Sequence, residues 1–411
     1  MKKFLLLSIL FLSAATFGQT QNTWTKKTSF SGLKRARAVA FVVEDYGYVG
    51  MGEDTAEMPH NDLWRYDPLL DVWSQMMSLP GSVRRNATAT AIGDKGYVGM
   101  GADSSISTTG SILDDWWEYD PLSNNWTQKA SYPGGYDIFN NTSANGIYFA
   151  TAFSIGDKAY VCGGKMSSDF YGTDLWEYDP NLDTWTRKAD FPGGDRYQLS
   201  SFAVDGKGYV GLGIDHDLFR KDWWQYDPDL DTWTEASSLP GVARGAASTF
   251  VLGQRGYVVF GSDGGYKDEL WEYNPFSDSW NIKANFPADG RKNAIAFAIG
   301  NKGYAGLGKG ASGKRKSFYE YSPLLPVGND ELVMESISVY PNPALEDVKI
   351  SSLNKEISAI SVYSLDGRML FNQFHNGTTI LNRGLFGTGT FIVLAKDEQG
   401  NILATEKLIY L

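Results

Sequence analysis

One phrase recurs, with small variations, six times along this chain: Gly-Tyr-Val-Gly-x-Gly, a variable loop, Asp-x-Trp-x-Tyr-Asp-Pro, then Trp-Thr. Its closing tryptophans are Trp24, Trp73, Trp126, Trp185, Trp233 and Trp280, separated by 47 to 59 residues. A period near fifty made of short β-type segments predicts radial blades rather than stacked helices. The 14% of aromatic residues and 45 glycines suit many short strands and tight turns. A length of 411 residues leaves room for one large domain and a small second one.

Each unit reads as four strands. In the fourth unit these are Gln198 to Val204, Gly208 to Gly213, Trp223 to Tyr226, and a segment around Trp233. Short turns join the first two strands (Asp205-Gly206-Lys207) and the last two (Asp227 to Asp231). The other connections, such as 53–61 and 78–83, are long and variable. Up-and-down alternation places both short turns on one face and both long loops on the other. Loops on a rigid scaffold are where binding resides, so the long-loop face is the expected functional face. The sixth unit ends at Tyr319-Glu320-Tyr321-Ser322-Pro323 with no Trp strand after it, whereas Trp24-Thr25-Lys26-Lys27 is an orphan strand of that type. The N-terminal strand is expected to complete the last blade and hide both edges, giving six blades.

With these marks the chain resembles a Kelch-repeat propeller of the galactose oxidase type, over roughly residues 22–325. The fold class implied is all-β: a six-bladed Kelch-type β-propeller followed by a small β-sandwich. The Gly-Gly doublet of that family is complete only at Gly163-Gly164; elsewhere it is Gly-x-Gly, as in Gly50-Met51-Gly52, or Phe260-Gly261-Ser262. The family's copper site requires two imidazoles and two tyrosines, one of them cross-linked to cysteine. Here the histidines are His60, His216 and His375, and the single cysteine, Cys162, falls on a second strand where a buried, inert thiol is expected. No Gly-x-Ser-x-Gly elbow supports a nucleophilic serine. No metal, no cofactor and no catalytic residue is therefore assigned.

The two ends carry addresses. Met1-Lys2-Lys3, the apolar run Phe4 to Phe11, and Ser13-Ala14-Ala15 predict a secretory signal peptide over residues 1–18. Losing Lys2 and Lys3 takes the formal charge from -11 to -13, which speaks against nucleic acid as a partner. No segment is long and apolar enough to span a membrane. A linker is expected over residues 326–335. Residues 336–411 open on Tyr340-Pro341-Asn342-Pro343, carry the turn Leu365-Asp366-Gly367-Arg368, and close on Glu406-Lys407-Leu408-Ile409. They resemble the C-terminal sorting domain of type IX secretion. That resemblance implies the secretion machinery as a partner, export from a Bacteroidetes-type cell, and a place outside it or on its outer surface.

Thirteen residues before the second-strand tyrosine stand Arg35, Arg84, Arg196, Arg244 and Arg291, with Ile147 in the third unit. Five guanidinium groups at the entrance of the innermost strands would make a positive mouth for an anionic sugar or an acidic side chain. Four residues before the third-strand tyrosine stand Asp62, Asp115, Asp174, Asp222, Glu269 and Ser317, so the same arginines could instead pair with acids and stitch the ring. Arg291, which faces no acid at that place, is the expected free guanidinium. The longest inter-blade segment, 131–147, offers Tyr132, Tyr136 and Phe139 for stacking on a sugar or for folding back on themselves. Two functions follow. The first is a non-catalytic module binding an extracellular glycan or protein through the long-loop face. The alternative is a sugar-processing enzyme, a sialic-acid mutarotase-like protein or a lyase, using His216 with Arg196 or Arg244.

Overall fold

The computed structural model describes residues 22–410, except 104–111, 135, 138–141, 144–145, 167–170, 324–336, 352–356, 365–367, 376 and 398–401. The expected leader, the 326–335 linker, Phe139 and the Leu365-Asp366-Gly367 turn lie outside the described residues. The chain divides into two compact units, Met1–Leu324 and Leu325–Leu411.

The first unit holds six four-stranded antiparallel sheets. Blade one is Val39–Val43, Tyr46–Gly50, Leu63–Asp67 and Val72–Met76. Along its innermost strand Val39, Phe41 and Val43 are buried between blades, while Ala40 and Val42 face the central channel. Blade six is Ile295–Ile299, Lys302–Gly306, Phe318–Ser322 and, as its outermost strand, Thr23–Lys27. The N-terminal strand pairs in register from Thr23 opposite Ser322 to Lys27 opposite Phe318, so the ring closes as expected.

The closure reproduces the bonds of every other blade joint. Each phrase tryptophan donates its indole N–H to a carbonyl of the preceding blade: Trp73 to Thr28, Trp126 to Met77, Trp185 to Ala130, Trp233 to Ala189, Trp280 to Ser237 and Trp24 to Ala284, at 2.7–3.1 Å. Asp71, at positive φ, accepts from Tyr66 Oη (2.7 Å) and from the Thr28 N–H. In blade six Asn22, also at positive φ, accepts from Tyr321 Oη and the Ala284 N–H, at 2.9 and 3.0 Å.

The Gly of Gly-Tyr is explained by the neighbouring blade. A Cβ on Gly96 would lie 2.1 Å from the Phe41 ring, and Gly208 meets Phe153 in the same way at 2.3 Å. Blade two has Thr90 where blade one has Phe41, and there alone the next blade carries an alanine, Ala159, in place of the glycine. Gly96→Ala is therefore expected to cost about 1–3 kcal/mol by overpacking. In a denaturant double-mutant cycle with Phe41→Thr the two changes should compensate by more than about 0.5 kcal/mol. Simple additivity would show that the ring does not select the glycine.

The second unit is a β-sandwich. One sheet is Ser338–Tyr340, Val348–Ser351 and Thr378–Leu381; the other is Met369–Phe374, Ala359–Ser364, Gly389–Lys396 and Ile402–Tyr410. Val348, Ile350 and Leu381 from the first sheet pack on Val362, Val393 and Leu408 from the second. Among the described residues no helix is long and apolar enough to cross a membrane.

Candidate functional site

The recurrent arginines do not form the expected mouth. Arg35, Arg84, Arg196, Arg244 and Arg291 are each 0–2% exposed. In every case Nη1 donates to the carbonyl of a left-handed residue on the second-strand bulge: Met51, Met100, Leu212, Phe260 and Leu307, at 2.9–3.2 Å. That carbonyl leaves the sheet ladder and is buried, so it requires a donor. The fork then closes on the blade's own acid. Arg84 bonds Asp115 at 2.7 Å through both nitrogens, Arg35 bonds Asp62, Arg196 bonds Asp222, and Arg244 bonds Glu269. Arg291 is not free either. It donates to Ser317 Oγ at 2.8 Å, lies over the Phe286 ring, and has Asp289 3.8 Å away; burial pulls its guanidinium below the usual range.

Blade three shows the rule by exception. With Ile147 in place of the arginine, the left-handed position is Gly163, which adopts φ of 63° without steric cost. This accounts for the lone Gly-Gly doublet. Asp174, lacking a buried partner, takes the surface Arg187 at 3.0 Å, and burial pushes its carboxyl up. Burial alone would also raise Asp62, Asp115 and Asp222, but the bonds from Arg35, Arg84 and Arg196 outweigh it and hold all three low. A carboxyl depressed in the folded state stabilises above its unfolded pKa, about 4, and loses that contribution as pH falls. The denaturant midpoint should accordingly stay level from pH 7 to 5 and fall steeply below about pH 4. A level profile through pH 3 would contradict the pairing.

The mouth is built two residues further along each chain segment. Arg37, Asn86, Phe149, Gln198, Ala246 and Asn293 stand one per blade where the ≈ 450 Å³ channel opens on the long-loop face, around a ≈ 140 Å³ vestibule. All six have φ between 51 and 61°. Left-handed backbone costs a non-glycine residue about 1–2 kcal/mol. A closed circle of backbone bonds holds them there: each N–H donates to the carbonyl of its counterpart in the preceding blade, from Asn86 to Arg37 round to Arg37 to Asn293, at 2.9–3.2 Å. Strain retained in one ring at one opening is characteristic of a binding site.

The side chains on this ring are not equivalent. On the side of blades six, one and two, Glu53 is buried and accepts from Arg37 at 3.1 Å, from Lys314 at 2.8 Å and from Arg85. Burial alone would raise the Glu53 carboxyl, yet these three cations hold it low. Arg37, Arg85 and Lys314 thus converge on one buried carboxylate, and Glu57 also acts on Arg37. Beside them His60 Nε2 lies 3.2 Å from Asp54 Oδ2. On the side of blades three and four the wall is aromatic. Phe149 packs on Tyr148 and Tyr197 at 5.3 and 5.8 Å, and Tyr197 stacks on Tyr171 at 5.1 Å. Blade five contributes only the small residues Ala246 and Ala247 to the vestibule wall. Asn86, between the two halves, is buried with neither amide atom bonded within the described residues.

Of the other expected residues, His216 has a side chain 64% exposed, bonds Asp215 at 2.7 Å and meets the edge of Tyr171; it does not line the vestibule, and the Asp215 bond raises its pKa. Tyr132 fills a buried core position against Trp176 and Trp185 rather than offering itself to a sugar. Tyr136 pairs its backbone with Ser143, and its side chain lies outside the described residues. The site residues missed by the sequence reading are Arg37, Glu53, Arg85, Asn86, Phe149, Tyr197 and Lys314. For Arg37, Arg85, Asn86, Phe149 and Tyr197 the signal was variation, since the two positions after each recurrent arginine change identity over most of the ring; Glu53 and Lys314 lie in loops between second and third strands.

Comparison with known proteins agrees with the architecture. Residues 338–410 match the secretion system C-terminal sorting domain, and residues 147–192 match the Kelch motif. N-acetylneuraminate epimerases of Haemophilus influenzae strains PittEE and 86-028NP are each 46% identical over 65 residues, which is 16% of this chain and 16% of theirs. The solved structure of YjhT superposes with a TM-score of 0.54 at 16% identity, covering 69% of this chain and 94% of that one, which is a likeness of fold.

Proposed function

The chain is a Kelch-repeat propeller with a type IX C-terminal sorting domain, placed outside the cell or on its outer surface, and from that premise we propose that it binds an acidic sugar of an extracellular glycan. The seat is the vestibule of the long-loop face. The observation that carries this reading is that a cationic arc and an aromatic wall meet on one rigid ring, with the Arg37 guanidinium 5.6 Å over the Phe149 ring. A sugar carboxylate suits the Arg37 guanidinium, which can hold it through two parallel bonds. The apolar face of the sugar ring suits Phe149 and Tyr197, and Asn86 can both donate to and accept from a ring substituent. The test is calorimetry on the full chain with N-acetylneuraminate, galacturonate and galactose. Binding of the acids and not of the neutral sugar supports the reading; equal binding of all three, or of none, overturns it.

The local similarity to N-acetylneuraminate epimerases favours a second reading, in which the bound sugar acid also has its anomers interconverted. Ring opening takes a proton from the anomeric hydroxyl and returns one to the ring oxygen. His60, oriented by Asp54, is the acid–base group bordering the arc. Exchange NMR of N-acetylneuraminate anomers separates the readings: acceleration by the full chain, lost in His60→Gln, supports catalysis, and an unchanged exchange rate leaves binding alone.

A further inference from the structure

In the sandwich domain, Met369–Phe374 is an edge of the four-stranded sheet, and among the described residues nothing pairs with its outer side. Its six residues, Met-Leu-Phe-Asn-Gln-Phe, include no charge and no proline. The other three sheet edges are each defended. Ser338–Tyr340 is three residues long and runs into Pro341 and Pro343. Thr378–Leu381 is four residues long, and Tyr410 Oη donates to the Leu381 carbonyl at 3.0 Å. Ile402–Tyr410 contains the charged pair Glu406-Lys407, and the segment 342–344 covers its end. There the Ala344 N–H donates to the Ile409 carbonyl at 2.7 Å, and the Ile409 N–H to Asn342 Oδ1 at 2.9 Å. Short strands, prolines, charges and coverings are the devices that keep sheet edges from pairing. Met369–Phe374 has none of them.

The backbone of this edge is also turned the right way. The His375 N–H donates to the Ser358 carbonyl at 2.7 Å, which fixes the phase of the ladder with Ala359–Ser364. By the alternation of antiparallel pairs, Asn372 and Phe374 turn their N–H and C=O outward, and past the bulge so does Met369. The Phe374 side chain beside them is 73% exposed. Residues 338–410 match a secretion system C-terminal sorting domain, and such a domain has to be read by the machinery that exports it. A six-residue edge is too short to bury the roughly 1,200 Å² of a stable dimer. It suits a contact made and released during export, rather than lasting union with a second copy. We propose that Met369–Phe374 is the edge the export machinery reads, by adding an extended, uncharged segment of its own as a fifth strand. Main-chain bonds to Asn372 and Phe374 hold that segment, and the Met369 and Phe374 side chains pack on it. The proposal is independent of any sugar bound by the propeller.

The test is export of the full chain by a bacterium carrying the type IX system, read by immunoblot as the fraction outside the cell or on its surface. Phe374→Lys places a charge on the edge, and Phe374→Pro removes one outward N–H and no ladder bond. Each should lower the exported fraction about tenfold, the factor produced by about 1.4 kcal/mol of lost pairing. Ile380→Lys puts the same charge on an exposed residue of a defended edge and should export as the parent does. Thermal melting of the purified full chains checks that the domain still folds. If proline lowers the melting temperature, Phe374→Lys decides, because an exposed side chain carries no core packing. Parent-level export of Phe374→Lys overturns the proposal, and so does an equal fall in Ile380→Lys. Sedimentation showing a parent dimer that Phe374→Lys renders monomeric also overturns it, since a second copy would then hold the edge.

Discussion

Arg84→Ala should destabilise the propeller by about 3 kcal/mol, the magnitude found when one partner of a buried ion pair is removed. Arg84 is fully buried, bonds both oxygens of Asp115 and donates to the Met100 carbonyl, so its loss strands a carboxylate and a buried carbonyl together. Replacing both members of the pair with apolar residues of matching volume should recover part of the deficit, because no lone charge is then left behind. Chemical denaturation of the variants measures this. Affinity for a sugar acid should be unaltered in Arg84→Ala at temperatures where it is folded. A folded variant that had lost affinity would return the recurrent arginines to the ligand.

Arg37→Asn should show the opposite pattern. Asparagine already occupies the equivalent ring position at Asn86 and Asn293, and it tolerates left-handed backbone, so the ring of bonds survives. Glu53 keeps Arg85 and Lys314. What disappears is the guanidinium at the vestibule, and losing a charge-assisted bond of about 2 kcal/mol raises Kd roughly thirtyfold. Melting temperature should move little. If affinity survives while stability falls, the cationic arc is scaffold and not site.

The contrast between Arg35 and Arg37 shows what the amino-acid sequence can convey in a repeat protein. Periodic residues were legible: the Trp24 closure, the six blades and the sandwich tail all follow from marks that recur or stand at expected places. Periodicity, however, reports what every blade needs, and a bulge carbonyl in every blade needs a buried donor. Arg35, Arg84, Arg196, Arg244 and Arg291 answer that need. The proposed ligand seat lies where blades differ, and difference has no spacing to read. Arg37, Asn86 and Phe149 share a ring only because the backbone turns left-handed there, a conformation that asparagine tolerates but that neither arginine nor phenylalanine announces. The Glu53 cluster draws on segments about 260 residues apart, which only ring closure brings together. Tyr132 misled for a related reason: in a variable segment, a core aromatic and a displayed one look alike.

The most direct test of the ligand seat is a crystal structure of the propeller soaked in N-acetylneuraminate. Density is expected in the long-loop vestibule, with the carboxylate toward Arg37 and the sugar ring against Phe149. Density confined to the short-turn face, or an empty vestibule at saturating ligand, would contradict it.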